Sequence, residues 1–134
     1  MLSIFFFYGG FALMVLRLAV AAILIVHGWA KVRDLKGTSA WFGSVGFRPG
    51  AFWGSLAAVL EFGGGIALVL GFLVQYLATI LALQFVVILF WRWFRRMPFV
   101  GGWELDLIMC AALVALMLLG GGLYSLDRVL LPVL

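Results

Sequence analysis

The order of apolar and polar positions divides the chain into four long apolar runs joined by connections of different character. The first run lies within residues 3–30, and the others cover about 52–70, 72–91 and 103–123. Each reaches the approximately 20 residues that cross about 30 Å of hydrocarbon at 1.5 Å per residue. The first exceeds an upright span, so its helix either begins near Gly9 or Gly10, giving 9–30, or tilts. The pattern predicts an all-α integral membrane protein: an antiparallel four-helix bundle forming one domain over residues 1–134.

The connections refine this outline. Only Gly71 interrupts the second and third runs, which predicts a tight antiparallel hairpin. Residues 31–50 mix charges, glycines, Trp41, Phe42 and Phe47, too polar for a span and suited to an interfacial segment. The third connection is short and basic, and Pro98 ends any helix that enters it. Gly120, Gly121 and Gly122 mark another helix end, with Ser125 able to cap a short terminal turn before Pro132. Residues 1–7 contain no basic side chain and no small-x-small cleavage site follows, so no cleaved leader is expected.

Composition agrees with a membrane setting. Of 134 residues, 67% are hydrophobic and 10% charged, against about a quarter charged in soluble domains. One cysteine, Cys110, leaves no intrachain disulfide, CxxC pair or thiolate cluster, and a single histidine excludes bis-histidine haem ligation within the chain. No metal site and no covalently bound cofactor are expected. The net charge of +4 does not indicate nucleic-acid binding, because the basic residues sit between membrane runs.

Interfacial side chains give the bundle a polarity. All six tryptophans flank or occupy the first and third connections, whereas Tyr8, Tyr76 and Tyr124 fall near the opposite ends of the runs. Lys31, Arg33, Lys36, Arg48, Arg92, Arg95 and Arg96 lie on the tryptophan side. The other side has Arg128, with Arg17 inside the first run. By the positive-inside rule the tryptophan end is cytoplasmic and both termini are extracytoplasmic.

The polar groups within the apolar runs are the candidate chemistry: Arg17, His27, Lys31, Glu61 and Glu104. At 100° per residue, Arg17, His27 and Lys31 lie along one side of the first helix. Measured along antiparallel helices from a common plane, Arg17 and Glu61 reach similar depth and are expected to pair. Such a pair fixes helix register, or it binds a polar head group or relays a proton; separate snorkelling is the remaining reading. Glu104 and Asp106 open the fourth helix at the depth of His27 and Lys31. Gly63, Gly64 and Gly65 beside Glu61 serve either close helix packing or the shaping of a site.

Five segments together resemble the DoxX family of small bacterial membrane proteins: "RLAVAAILIVHGWAKV", "TSAWFGSVGF", "LAAVLEFGGGIALVLGF", "GGWELDL" and "GGGLYSLDRVL". The resemblance implies a four-helix protein of the bacterial cytoplasmic membrane. It also implies the matching positions His27, Lys31, Glu61 and Glu104. Some relatives are associated with thiosulfate:quinone oxidoreduction, or with a membrane complex that detoxifies oxidants and thiols. None of the matching residues is a redox group, so electron transfer here needs a bound quinone or a partner enzyme.

The leading functional expectation is a membrane subunit of a quinone- or thiol-linked oxidoreductase, with a buried polar site but no redox centre. The alternatives are a non-catalytic scaffold or anchor for partner proteins, and a small transporter or lipid-interacting protein. Membrane lipids, and a protein partner or homo-oligomer, are the expected contacts.

Overall fold

The computed structural model describes residues 8–132, which contain helices and turns and no strand. The expectation of no cleaved leader at residues 1–7 lies outside them. Four helical segments are long and apolar enough to cross a membrane: α1 (Gly9–Arg33), α3 (Gly50–Leu70), α4 (Val74–Phe94) and Phe99–Leu119, the last made of one wide turn followed by α5 (Glu104–Leu119). Two short helices join them, α2 (Leu35–Ser44) after α1 and α6 (Leu126–Leu130) after α5. The protein is a multi-pass membrane bundle.

Local chemistry sets the ends. Gly71 takes the left-handed conformation (φ 73°). There the Gly71 N–H bonds the Leu68 carbonyl and the Phe72 N–H bonds the Ala67 carbonyl, a Schellman closure of α3. Only Phe72 and Leu73 separate Gly71 from α4, so the turn is as short as expected, although the two helices then diverge. The first N–H groups of α4, on Leu73 and Val74, donate to the two oxygens of Asp127 at 2.6 and 2.8 Å. The cap of α4 is thus supplied by α6 rather than by the preceding residue. Ser125 precedes α6 as expected but does not cap it; its hydroxyl donates to the Gly122 carbonyl. Pro98 is extended and starts one wide turn, Phe99–Trp103, which leads into α5.

The helices pack as two close pairs, α1 on α3 and α4 on α5, with sparser contact between the pairs. Small residues explain the first pair. A side chain on Gly28 would collide with the Phe62 backbone, and one on Gly65 would meet Ile25 and the Ala21 carbonyl. Between the pairs, Leu24, Leu68, Leu81, Leu113 and Leu116 form a dry core. The outward faces, with Val15, Val26, Val59, Ile66 and Leu118, are exposed and apolar, as lipid contact requires.

The short helix α2 folds back against the first turns of α3: side chains on Gly50 and Gly54 would press on Ser39. At this end Trp41 meets Trp91, and Trp93 meets Trp103, at ring separations of 5.9 and 6.0 Å. Gly10 lies against Leu123 at the other end, so both described ends of the chain emerge together.

Candidate functional site

The gap between the two helix pairs opens, toward the tryptophan end, into a cavity of about 560 Å³. Its walls are mostly apolar and aromatic, including Trp41, Phe42, Trp53, Leu60 and Trp91. Leu56, Ile80, Leu83 and Val87 line it and are also exposed on the outer surface. The mouth therefore faces sideways between α3 and α4, where that hairpin packs loosely. A lipid-soluble molecule could enter from the hydrocarbon without crossing water.

Polar groups gather at one end of this cavity. Glu61, buried on α3, accepts from Lys31 Nζ at 2.5 Å through Oε2 and from Gln84 Nε2 at 2.6 Å through Oε1. Both carboxylate oxygens are thereby satisfied, and Lys31 keeps two N–H groups beyond this bond. Gln84 Oε1 is buried and has no partner. Across the gap Arg92 Nε lies 2.8 Å from Asp106 Oδ2. This is a charge pair without hydrogen-bond alignment, since neither atom counts a hydrogen-bond partner. Arg92 Nη1 also donates to the Gly102 carbonyl. His27 is exposed at the cavity edge, with Nδ1 2.9 Å from the Ile23 carbonyl. A carbonyl can only accept, so Nδ1 carries the hydrogen and Nε2 is free to accept.

The expected Arg17–Glu61 pair does not form. Arg17 is 2% exposed, and its Nη1 and Nη2 donate to the carbonyls of Gly121 (2.8 Å) and Tyr124 (2.7 Å). It lies beside Gly71, ten residues and about 15 Å along α3 from Glu61. The error is one of register. The opening turns of α3 pack on α2, so α3 begins well beyond the level of Lys31 and Glu61 comes opposite Gly28. Lys31, at the end of α1, is then the cation within reach.

Two further expectations change. Glu104 is exposed and accepts from the Gly101 N–H within its own turn; Asp106 lines the cavity instead. Gly63, Gly64 and Gly65 do not line it. Gly65 packs on α1, Gly64 meets Leu81, and Gly63 has open space beside it. Cys110 is buried in the core, as expected.

Sequence reasoning missed Gln84 and the site role of Arg92. Gln84 is the only polar residue between Ile80 and Trp91, and the rule that singled out Glu61 applies to it equally. A second cavity, about 650 Å³, sits at the opposite end near Gln75, Tyr76 and Asp127. Its carboxylate is occupied in capping α4.

Four membrane-crossing helices with a laterally open, polar-ended cavity define a small membrane protein suited to an amphiphilic ligand. The chain belongs to the DoxX family, whose profile matches residues 12–93. It is 31% identical over 119 residues to the inner membrane protein YqjF of Escherichia coli (strain K12), covering 87% of this chain and 90% of that one. It is 27% identical over 114 residues to CatD of Bacillus subtilis (strain 168), covering 85% and 83%; CatD's name carries a provisional oxidoreductase assignment. No solved structure matches the chain significantly.

Proposed function

We propose that the chain is a membrane subunit of a quinone- or thiol-linked oxidoreductase system that supplies an amphiphile-binding cavity and no redox centre of its own. The carrying observation is the cavity between the helix pairs: apolar walls, a sideways mouth, and Lys31, Glu61, Gln84, Arg92 and Asp106 at one end. A quinone matches it part by part. The tail lies among aromatic and aliphatic side chains, and ring carbonyls accept from Lys31 and Arg92. CatD's name supports the oxidoreductase side of this reading. A partner protein supplies or removes the electrons.

The test is quinone content after mild solubilisation from quinone-bearing membranes. Wild-type protein should retain close to one quinone per chain. Leu60→Trp, which fills the cavity, should retain at least tenfold less while melting within a few degrees of wild type. Absence of quinone from the wild type, or retention undiminished by Leu60→Trp, would overturn the proposal.

The reading also carries an orientation. Seven of the nine basic residues lie at the tryptophan end, which the positive-inside rule assigns to the cytoplasm. Ala40 on α2 and Val129 on α6 are exposed at opposite ends. In a Cys110→Ala background, Val129→Cys should react with an impermeant thiol reagent in intact cells, and Ala40→Cys only after permeabilisation. The reverse pattern would invert the orientation.

A further inference from the structure

The polar end of the cavity holds two cations and two carboxylates, and each cation is closed by its own acid: Lys31 by Glu61 at 2.5 Å and Arg92 by Asp106 at 2.8 Å. The pairs sit on opposite walls, one on α1 and α3, the other on α4 and α5. We propose that Glu61 and Asp106 make the cavity selective for amphiphiles with uncharged polar heads, by cancelling the two cations that would otherwise capture anionic ones. This names the ligand class of the site and rests on the reading of the cavity as an amphiphile site.

The mouth opens sideways toward surrounding lipid, and a cytoplasmic leaflet is rich in anionic head groups. An open Lys31 and Arg92 beside an apolar tunnel would attract a phosphate strongly. With both carboxylates in place the four groups sum to zero. An anion then enters a low-dielectric space with no net positive charge to offset its desolvation. A neutral head carries no such desolvation cost. It also finds unspent hydrogen-bonding capacity: the remaining Lys31 N–H groups as donors, and Gln84 Oε1 as a buried acceptor without a partner. His27 is the other titratable group at the site.

The experiment compares tail-matched probes, decylbenzoquinone and decyl phosphate, binding to detergent-purified protein at pH 8 by native mass spectrometry. Wild type should bind the quinone at least tenfold more tightly. Asp106→Asn should shift that ratio at least tenfold toward decyl phosphate by freeing Arg92. Glu61→Gln should do the same from the other wall by freeing Lys31, and so serves if Asp106→Asn does not fold. Wild-type binding of decyl phosphate at equal or greater strength overturns the selectivity while leaving an amphiphile site standing. So does an unchanged ratio in the folded variants. Binding of neither probe by wild type overturns the underlying site reading itself.

Discussion

Arg17→Met is expected to cost about 3 kcal/mol of stability, because two carbonyl groups lose the donor that satisfies them in a dry setting. Arg17 reaches from α1 to the chain after α5 and holds the Gly121 and Tyr124 carbonyls together. That same stretch leads into α6, whose Asp127 caps the start of α4. The bond therefore ties α1, the α3–α4 hairpin and the end of α5 at one point. Loss of Arg17 should lower the detergent melting temperature by several degrees. It should also expose the chain beyond Tyr124 to protease before the rest of the bundle. Arg17→Lys should recover only part of the loss, since an ammonium lacks the planar fork that serves two acceptors at once. Melting and proteolysis indistinguishable from wild type would show that the clasp carries no stability.

Gly28→Val should be severely damaging at the contact between α1 and α3. A Cβ there lands on the backbone of Glu61 and Phe62, and backbone cannot turn aside as a flexible side chain can. Even Gly28→Ala should cost about 2 kcal/mol, in the range of overpacked interiors. The valine variant should separate α1 from α3 and fail to accumulate as folded protein. Because Lys31 lies one turn from Gly28, the Lys31–Glu61 bond would be lost with the packing. Gly63→Ala is the matched control. Nothing lies within 4 Å of its would-be Cβ, so it should be neutral or gain about 0.5–1 kcal/mol from helix propensity. Equal effects of alanine at positions 28 and 63 would refute the close-approach account.

These two sites show where the sequence was informative. Apolar runs of about 20 residues specify helices almost by length alone, so four spans and the Gly71 hairpin could be read directly. The separation of tryptophans from tyrosines placed the connections on one end. The pairing of Glu61 could not be read, because hydropathy records where a helix begins along the chain but not at what depth. The fold-back of α2 on α3 slides Glu61 away from Arg17 and onto Lys31. Glu104 and Asp106 were misranked for a related reason. Two residues apart on a helix they point about 200° apart, and apolar flanks on both sides gave no cue to the inward one. Gly63, Gly64 and Gly65 face an open side, Leu81 and α1 in turn, so two of the three pack against neighbours and none lines the cavity.

The α1–α3 pair, brought close by Gly28 and Gly65, and the α4–α5 pair leave a gap, and the charged groups that cannot face lipid gather at one end of it. The outward helix faces are largely apolar. The arrangement sets hydrogen-bond donors beside an apolar cavity that opens toward lipid.

The most direct measurement is photolabelling of the purified protein with an azido derivative of decylbenzoquinone, followed by mapping of the modified residues. The account predicts adducts on Leu56, Leu60, Leu83 or Gln84, facing the gap between the helix pairs, and their loss in excess unmodified quinone. Adducts confined to outward positions such as Ile66, Val69 or Leu118, undiminished by that excess, would contradict it.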